Sequence, residues 1–175
     1  MDKGYLQVYT GCGKGKTTAA FGLALRAAGA GFKVYIGQFV KDVPDRGIAL
    51  LEDRVPEIFT EQYGSGEGCY FGEGRPDELD RSSAESGVAK AMDTMLSGKY
   101  DVVILDEITI PVRYGVLDES VLLEFADRRP PSVELVMTGR YAPQSLIDRA
   151  DLVTEMGEVK HYWRDGVAAR EGIED

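Results

Sequence analysis

The stretch Thr10-Gly11-Cys12-Gly13-Lys14-Gly15-Lys16-Thr17-Thr18 constrains this chain more than any other. It follows a short strand-like segment, Tyr5 to Tyr9, and precedes an alanine-rich helical pattern from about Lys16 to Ala28. A glycine-rich turn that links a strand to a helix and closes on Lys-Thr has the form of a phosphate-binding loop. In such a loop successive backbone N–H groups point inward, and the helix N-terminus adds about half a positive charge. Glycine permits the backbone angles and the close approach of a phosphate. On this reading Gly11, Cys12, Gly13, Lys14, Gly15, Lys16, Thr17 and Thr18 cradle a nucleotide. Lys16 reaches phosphate oxygens, the Thr17 hydroxyl ligates magnesium and Lys14 adds a second positive charge. The strict pattern GxxxxGKS/T would begin with Gly where this chain has Thr10. Cys12 is expected to be a small filler in the loop.

Asp101 to Asp106 is a continuous apolar run between two carboxylates, as expected of a strand buried on both faces. Asp106 and Glu107 then stand at its carboxyl end, where an acidic residue binds magnesium directly or through water. Val133 to Thr138 predicts another buried strand, which brings Arg140 to a strand end where ligands of open α/β sheets bind. Gln38 and Lys41 close a strand over Lys33 to Phe39 and are placed in the same way. Further strands are predicted at Glu57–Gln62, Leu152–Glu155 and Val159–Tyr162. Helices are predicted over Gly47–Asp53, Arg81–Leu96, Asp118–Asp127 and Pro143–Ala150. In the first helix Phe21, Leu25 and Ala28 share a face, with Ala20, Ala24 and Ala27 beside it. Alternating strands and helices predict one α/β domain over 1–175 with a mainly parallel sheet.

Gln62 to Asp80 differs in kind: five glycines alternate with Tyr63, Cys69, Tyr70 and Phe71. A long loop with its own aromatics suits a binding loop or lid, and a self-packed surface loop is the alternative. The net charge of −10 opposes a general nucleic-acid binder and a partner of anionic membranes. Two cysteines without a CxxC spacing and a single histidine, His161, exclude a cysteine-based zinc site and a multi-histidine metal centre. His161 is expected to be structural or exposed. No run of about 20 apolar residues could span a bilayer and no early apolar run resembles a signal peptide, so a soluble cytoplasmic protein is expected.

Together these segments resemble the phosphate-loop type of ATP:corrinoid adenosyltransferase. The matching stretches are Thr10–Gly22, Gln38–Lys41, Asp101–Glu107, Arg113–Asp118, Thr138–Arg140 and Ala150–His161, in order along nearly the whole chain. The tail from Asp165 to Ile173 resembles the family's ending. The resemblance implies a RecA-like P-loop NTPase fold. It also implies transfer of the 5′-deoxyadenosyl group of ATP to the Co(I) centre of a corrinoid, with triphosphate released, in cobalamin biosynthesis or salvage. Lys16, Thr17 and Glu107 would then be catalytic, with Thr17, Asp106 and Glu107 around Mg2+. A flavoprotein reductant and a homodimer follow as family expectations. The family often has Asn where this chain has Cys12. It often carries Phe and Trp in the substrate loop, where Tyr70 and Phe71 stand here and are assigned to displacing the corrinoid's lower axial ligand. A P-loop small-molecule kinase or NTPase, and a non-catalytic nucleotide- or corrinoid-binding module, are the competing readings.

Overall fold

The computed structural model describes residues 1–41, 46–64 and 76–173. Six strands form one all-parallel sheet: β1 (Leu6–Thr10), β2 (Val34–Phe39), β3 (Ile58–Tyr63), β4 (Val102–Asp106), β5 (Glu134–Thr138) and β6 (Leu152–Glu155). Their order across the sheet is β3-β2-β4-β5-β1-β6. β2 and β4 are buried at every position, as strands covered on both faces must be. One strand, β5, separates β1 from β4, so the loop after β1 and the carboxylates after β4 share one edge of the sheet. This is the α/β, RecA-like arrangement that the sequence implied.

Two helices, α1 (Lys16–Gly29) and α2 (Arg46–Arg54), cover one face. α3 (Glu78–Leu96), α5 (Ser120–Arg128) and α6 (Gln144–Arg149) cover the other, and a five-residue helix, α4 (Thr109–Arg113), follows β4. The two faces are packed differently. Ala20, Ala24, Ala27 and Ala28 are the apolar residues that α1 buries, so its axis lies close to Ile36, Ile104 and Val136 of the sheet. Leu25, expected on that face, is 51% exposed, and Phe21 is half-buried and faces the cleft described below. A helix this close to a sheet has room only for methyl groups at the contact. The other face uses Phe125, Met92, Met95 and Leu122 instead.

The predicted elements stand with small shifts. α3 begins at Glu78 rather than Arg81, because Asp77 accepts from the amides of Leu79 and Asp80 while the Asp80 side chain accepts from the Asp77 amide. Asp118 accepts from the Ser120 amide at 2.9 Å and so caps the turn into α5. Val159–Tyr162 is not a strand. Val159 is fully exposed, and among the described residues the outer edge of β6 pairs with no further strand. The chain instead forms a 3-10 turn over Tyr162–Asp165, capped by His161, whose Nδ1 accepts from the Trp163 amide.

Candidate functional site

The carboxyl ends of β1, β2, β4 and β5 open into a cleft of about 820 Å³. Its floor is the loop between β1 and α1. Gly15 caps α1 with φ of 117°, a left-handed angle that turns the chain from loop to helix. Gly11 has φ of 97°, and a Cβ there would meet the Met156 carbonyl at 2.4 Å. The Gly13 amide donates to that same carbonyl at 2.7 Å. Gly11 and Gly13 are therefore required by the backbone that follows β6, independently of any ligand.

Lys16 is buried, and its ammonium donates to the carbonyls of Gly11 and Gly13 at 2.8 and 2.9 Å. Burial lowers its pKa, opposed chiefly by the Glu107 carboxylate. Lys14 also lines the cleft, where it donates to the Ile173 carbonyl at 2.6 Å and so ties the C-terminal segment to the loop. Thr18 borders the cleft. Cys12 is exposed there rather than a buried filler, because it is the Gly11 and Gly13 backbone on either side that packs against residues 156 and 157.

Asp106 ties the site together. Its Oδ1 accepts from Thr17 Oγ1 at 3.0 Å and from Thr138 Oγ1 at 2.7 Å. Its Oδ2 accepts from Gln38 Nε2 at 3.3 Å, and Gln38 in turn accepts from Gln62 Nε2 at 3.3 Å. Gln38 is fully buried behind Asp106, so it supports the carboxylate and does not wall the cleft. Burial raises the Asp106 pKa, and these hydrogen bonds oppose the rise.

Glu107 faces the cleft with φ of 58°. Burial raises its pKa, and repulsion from Asp106 raises it further against Lys16, Arg140 and Lys41. Its Oε2 is buried without a hydrogen-bond partner. An orphaned carboxylate oxygen beside a second carboxylate and the Thr17 hydroxyl is an all-oxygen donor set, which suits magnesium. Among the described residues no group of three or more His, Cys, Asp or Glu is placed to hold a metal ion. Magnesium would therefore take its remaining ligands from phosphate oxygens and water, its usual habit. Lys41 and Arg140 line the cleft, and the Arg140 carbonyl accepts from Thr109 Oγ1 at 2.7 Å. Tyr70 and Phe71 lie outside the described residues.

The C-terminal segment supplies a wall that sequence reading missed as a site: Glu158, His161, Trp163, Arg164 and Ile173 all border the cleft. Its one sequence signal was the likeness of Ala150–His161 and the tail to the family. Tyr141, also on the cleft, had no signal.

Comparison with known proteins shows the family to which the sequence belongs. The sequence matches the family described as ATP:corrinoid adenosyltransferase BtuR/CobO/CobP over residues 2–174. A corrinoid adenosyltransferase of Pseudomonas aeruginosa is 35% identical over 173 residues, covering 99% of this chain and 84% of its own. One from a Sinorhizobium species is 36% identical over 174 residues, covering 99% and 81%. The corrinoid adenosyltransferase of Escherichia coli K12 is 34% identical over 174 residues, covering 99% and 86%.

Proposed function

The chain belongs to the ATP:corrinoid adenosyltransferase family, and from that premise we propose that it joins the 5′-deoxyadenosyl group of ATP to the Co(I) centre of a corrinoid. The observation that carries the reading is the convergence of loop, Glu107 and Arg140 on one cleft, with Asp106 bonded to Thr17 behind it, in a chain that matches the family almost end to end. In the proposed reaction the Co(I) electron pair attacks the ribose 5′ carbon. The carbon–oxygen bond to the triphosphate breaks, and its electron pair leaves on the triphosphate oxygen.

The chain's own work is positioning and charge stabilisation. The loop amides and the N-terminus of α1 hold the polyphosphate. Lys16, with Lys41 and Arg140 on the same cleft, faces the charge that grows on the departing triphosphate. Co(I) has no proton to lose and brings its own electron pair, so the site needs neither a histidine base nor a cysteine or serine nucleophile. Thr17, Asp106 and Glu107 would hold magnesium, which supplies positive charge to the leaving group when bound. Asp106 also fixes the Thr17 hydroxyl through its hydrogen bond.

The reading places the enzyme in cobalamin biosynthesis or salvage, where a reductant such as a flavoprotein must deliver Co(I). A homodimer is part of the same proposal. The test is anaerobic: protein, ATP, magnesium and chemically reduced corrinoid, followed by absorbance. A light-sensitive adenosyl-corrinoid is expected. Complete absence of that product with well-folded protein would overturn the reading.

A further inference from the structure

Among the described residues three that are not glycine have positive φ: Val40 at 75°, Glu107 at 58° and Tyr141 at 60°. Each lies just beyond the carboxyl end of a central strand, at β2, β4 or β5. Strained backbone concentrates at functional sites, and inference runs from the outlier to the function. Glu107 is accounted for by the acidic pair. Tyr141 has no part in the chemistry described so far. A bulky side chain at a left-handed position is an outlier that glycine would avoid.

The fold gains little from the ring. Tyr141 is 51% exposed and belongs to neither core cluster. Its partner is the Arg113 guanidinium of α4, 5.1 Å from the ring centroid. That cation–π contact braces the ring where it borders the cleft next to Arg140. We infer that Tyr141 determines specificity for the second substrate, by stacking its ring against the macrocycle of the corrinoid. This rests on the function proposed above. The triphosphate belongs to the loop on the floor, whereas Tyr141 borders the same cleft and is half-exposed, so its ring meets solvent there. A broad, flat ligand in the cleft would cover such a position, and its peripheral amide carbonyls match the guanidinium donors of Arg140, which borders the cleft beside Tyr141.

The test uses the full chain and the variants Tyr141→Gly, Tyr141→Asn and Tyr141→Phe. Two readouts serve: steady-state constants for each substrate, and quenching of the single tryptophan, Trp163, which borders the cleft, by an absorbing corrinoid. Loss of the ring in the Gly and Asn variants should raise the corrinoid KM and dissociation constant about tenfold. The ATP KM should stay within about twofold. Tyr141→Phe should behave as wild type, and Tyr141→Gly should unfold no earlier than wild type because the strain is relieved. Unchanged corrinoid constants in the Gly and Asn variants would overturn the inference, as would a loss confined to ATP, which would put the ring against the nucleoside. Equal losses on both substrates with a lower unfolding midpoint would make the ring structural and also overturn it. A wild-type protein that neither binds nor adenosylates a corrinoid would overturn the proposed function itself, and this inference with it.

Discussion

Asp106, at the base of the cleft, is 1% exposed and accepts hydrogen bonds from three side chains on three different elements. Trp163, on the C-terminal wall, is 55% exposed, and its segment is held by surface contacts. Those contacts include the Lys14 bond to the Ile173 carbonyl, the Arg164–Glu158 pair at 2.6 Å and Arg170 over the Tyr162 ring at 4.9 Å. Both regions border one ligand space, yet their construction suits different tasks. Buried, fully bonded polar groups are stiff and act through a low dielectric, which is what stabilising charge in a transition state needs. Exposed ion pairs and stacks add little to stability, so they can be remade around a ligand at little cost. The floor therefore fits the chemistry, and the wall fits recognition.

The largest effect expected is on the floor. Lys16→Ala should lower kcat by about 10²–10³-fold through lost stabilisation of the leaving triphosphate. A variant with wild-type kcat would break the assignment of chemistry to the floor. Next is Glu107→Gln, which removes the negative charge beside Asp106. The magnesium concentration for half-maximal rate should rise roughly 10–100-fold. An unchanged metal titration would move the metal role away from Glu107.

Gly139→Ala probes the rigidity of the floor through stability. Gly139 has φ of 138°, and a Cβ there would meet Thr109 Oγ1 at 2.1 Å. The cost should exceed about 1 kcal/mol, a fall in the unfolding midpoint of at least about 2–4 °C. A wild-type midpoint would show that this end of β5 gives way. Where the floor is tied to the wall, Lys14→Ala should change the ATP KM by only about two- to fivefold, the scale of one exposed hydrogen bond. A loss as large as that of Lys16→Ala would abolish the contrast between the regions.

The smallest effect lies away from the cleft and concerns pH. Burial alone would raise the Glu61 pKa, but hydrogen bonds from Lys90, Tyr63 and Tyr35 bring it below the ordinary carboxylate value. A depressed folded pKa contributes stability that is present above the unfolded value, about 4.3, and is lost as pH falls through the folded one. Lys90→Met should therefore narrow the stability lost on acidification below about pH 4.3, measured by denaturant unfolding at each pH. An acid limb identical to that of wild type would contradict the role of Lys90.

What the sequence revealed follows the same division. The phosphate loop, the Asp106–Glu107 pair and the buried strands were legible because local chain chemistry dictates them. A run of Val-Val-Ile-Leu can be buried on both faces, and Gly-Lys-Thr after a strand has few other uses. α4 escaped because five residues around Pro111 carry no helical period. The wall escaped because it rests on contacts between distant residues, such as Gly13 with Met156 and Lys14 with Ile173, that no local pattern announces. The false strand at Val159–Tyr162 has a related cause: a short segment shows that it could be extended, not that a partner strand exists. Tyr141 was hidden for another reason, since a left-handed tyrosine is set by the turn after β5 and contradicts its own local preference.

The most direct test of the account is the fate of the phosphates. In an anaerobic single turnover with ATP, magnesium and a Co(I) corrinoid, phosphorus NMR identifies the released species. Intact triphosphate, formed in step with the adenosyl-corrinoid, is the predicted result. Release of ADP or orthophosphate without a cobalt–carbon bond would contradict it, and would mean that this floor performs ordinary phosphoryl transfer.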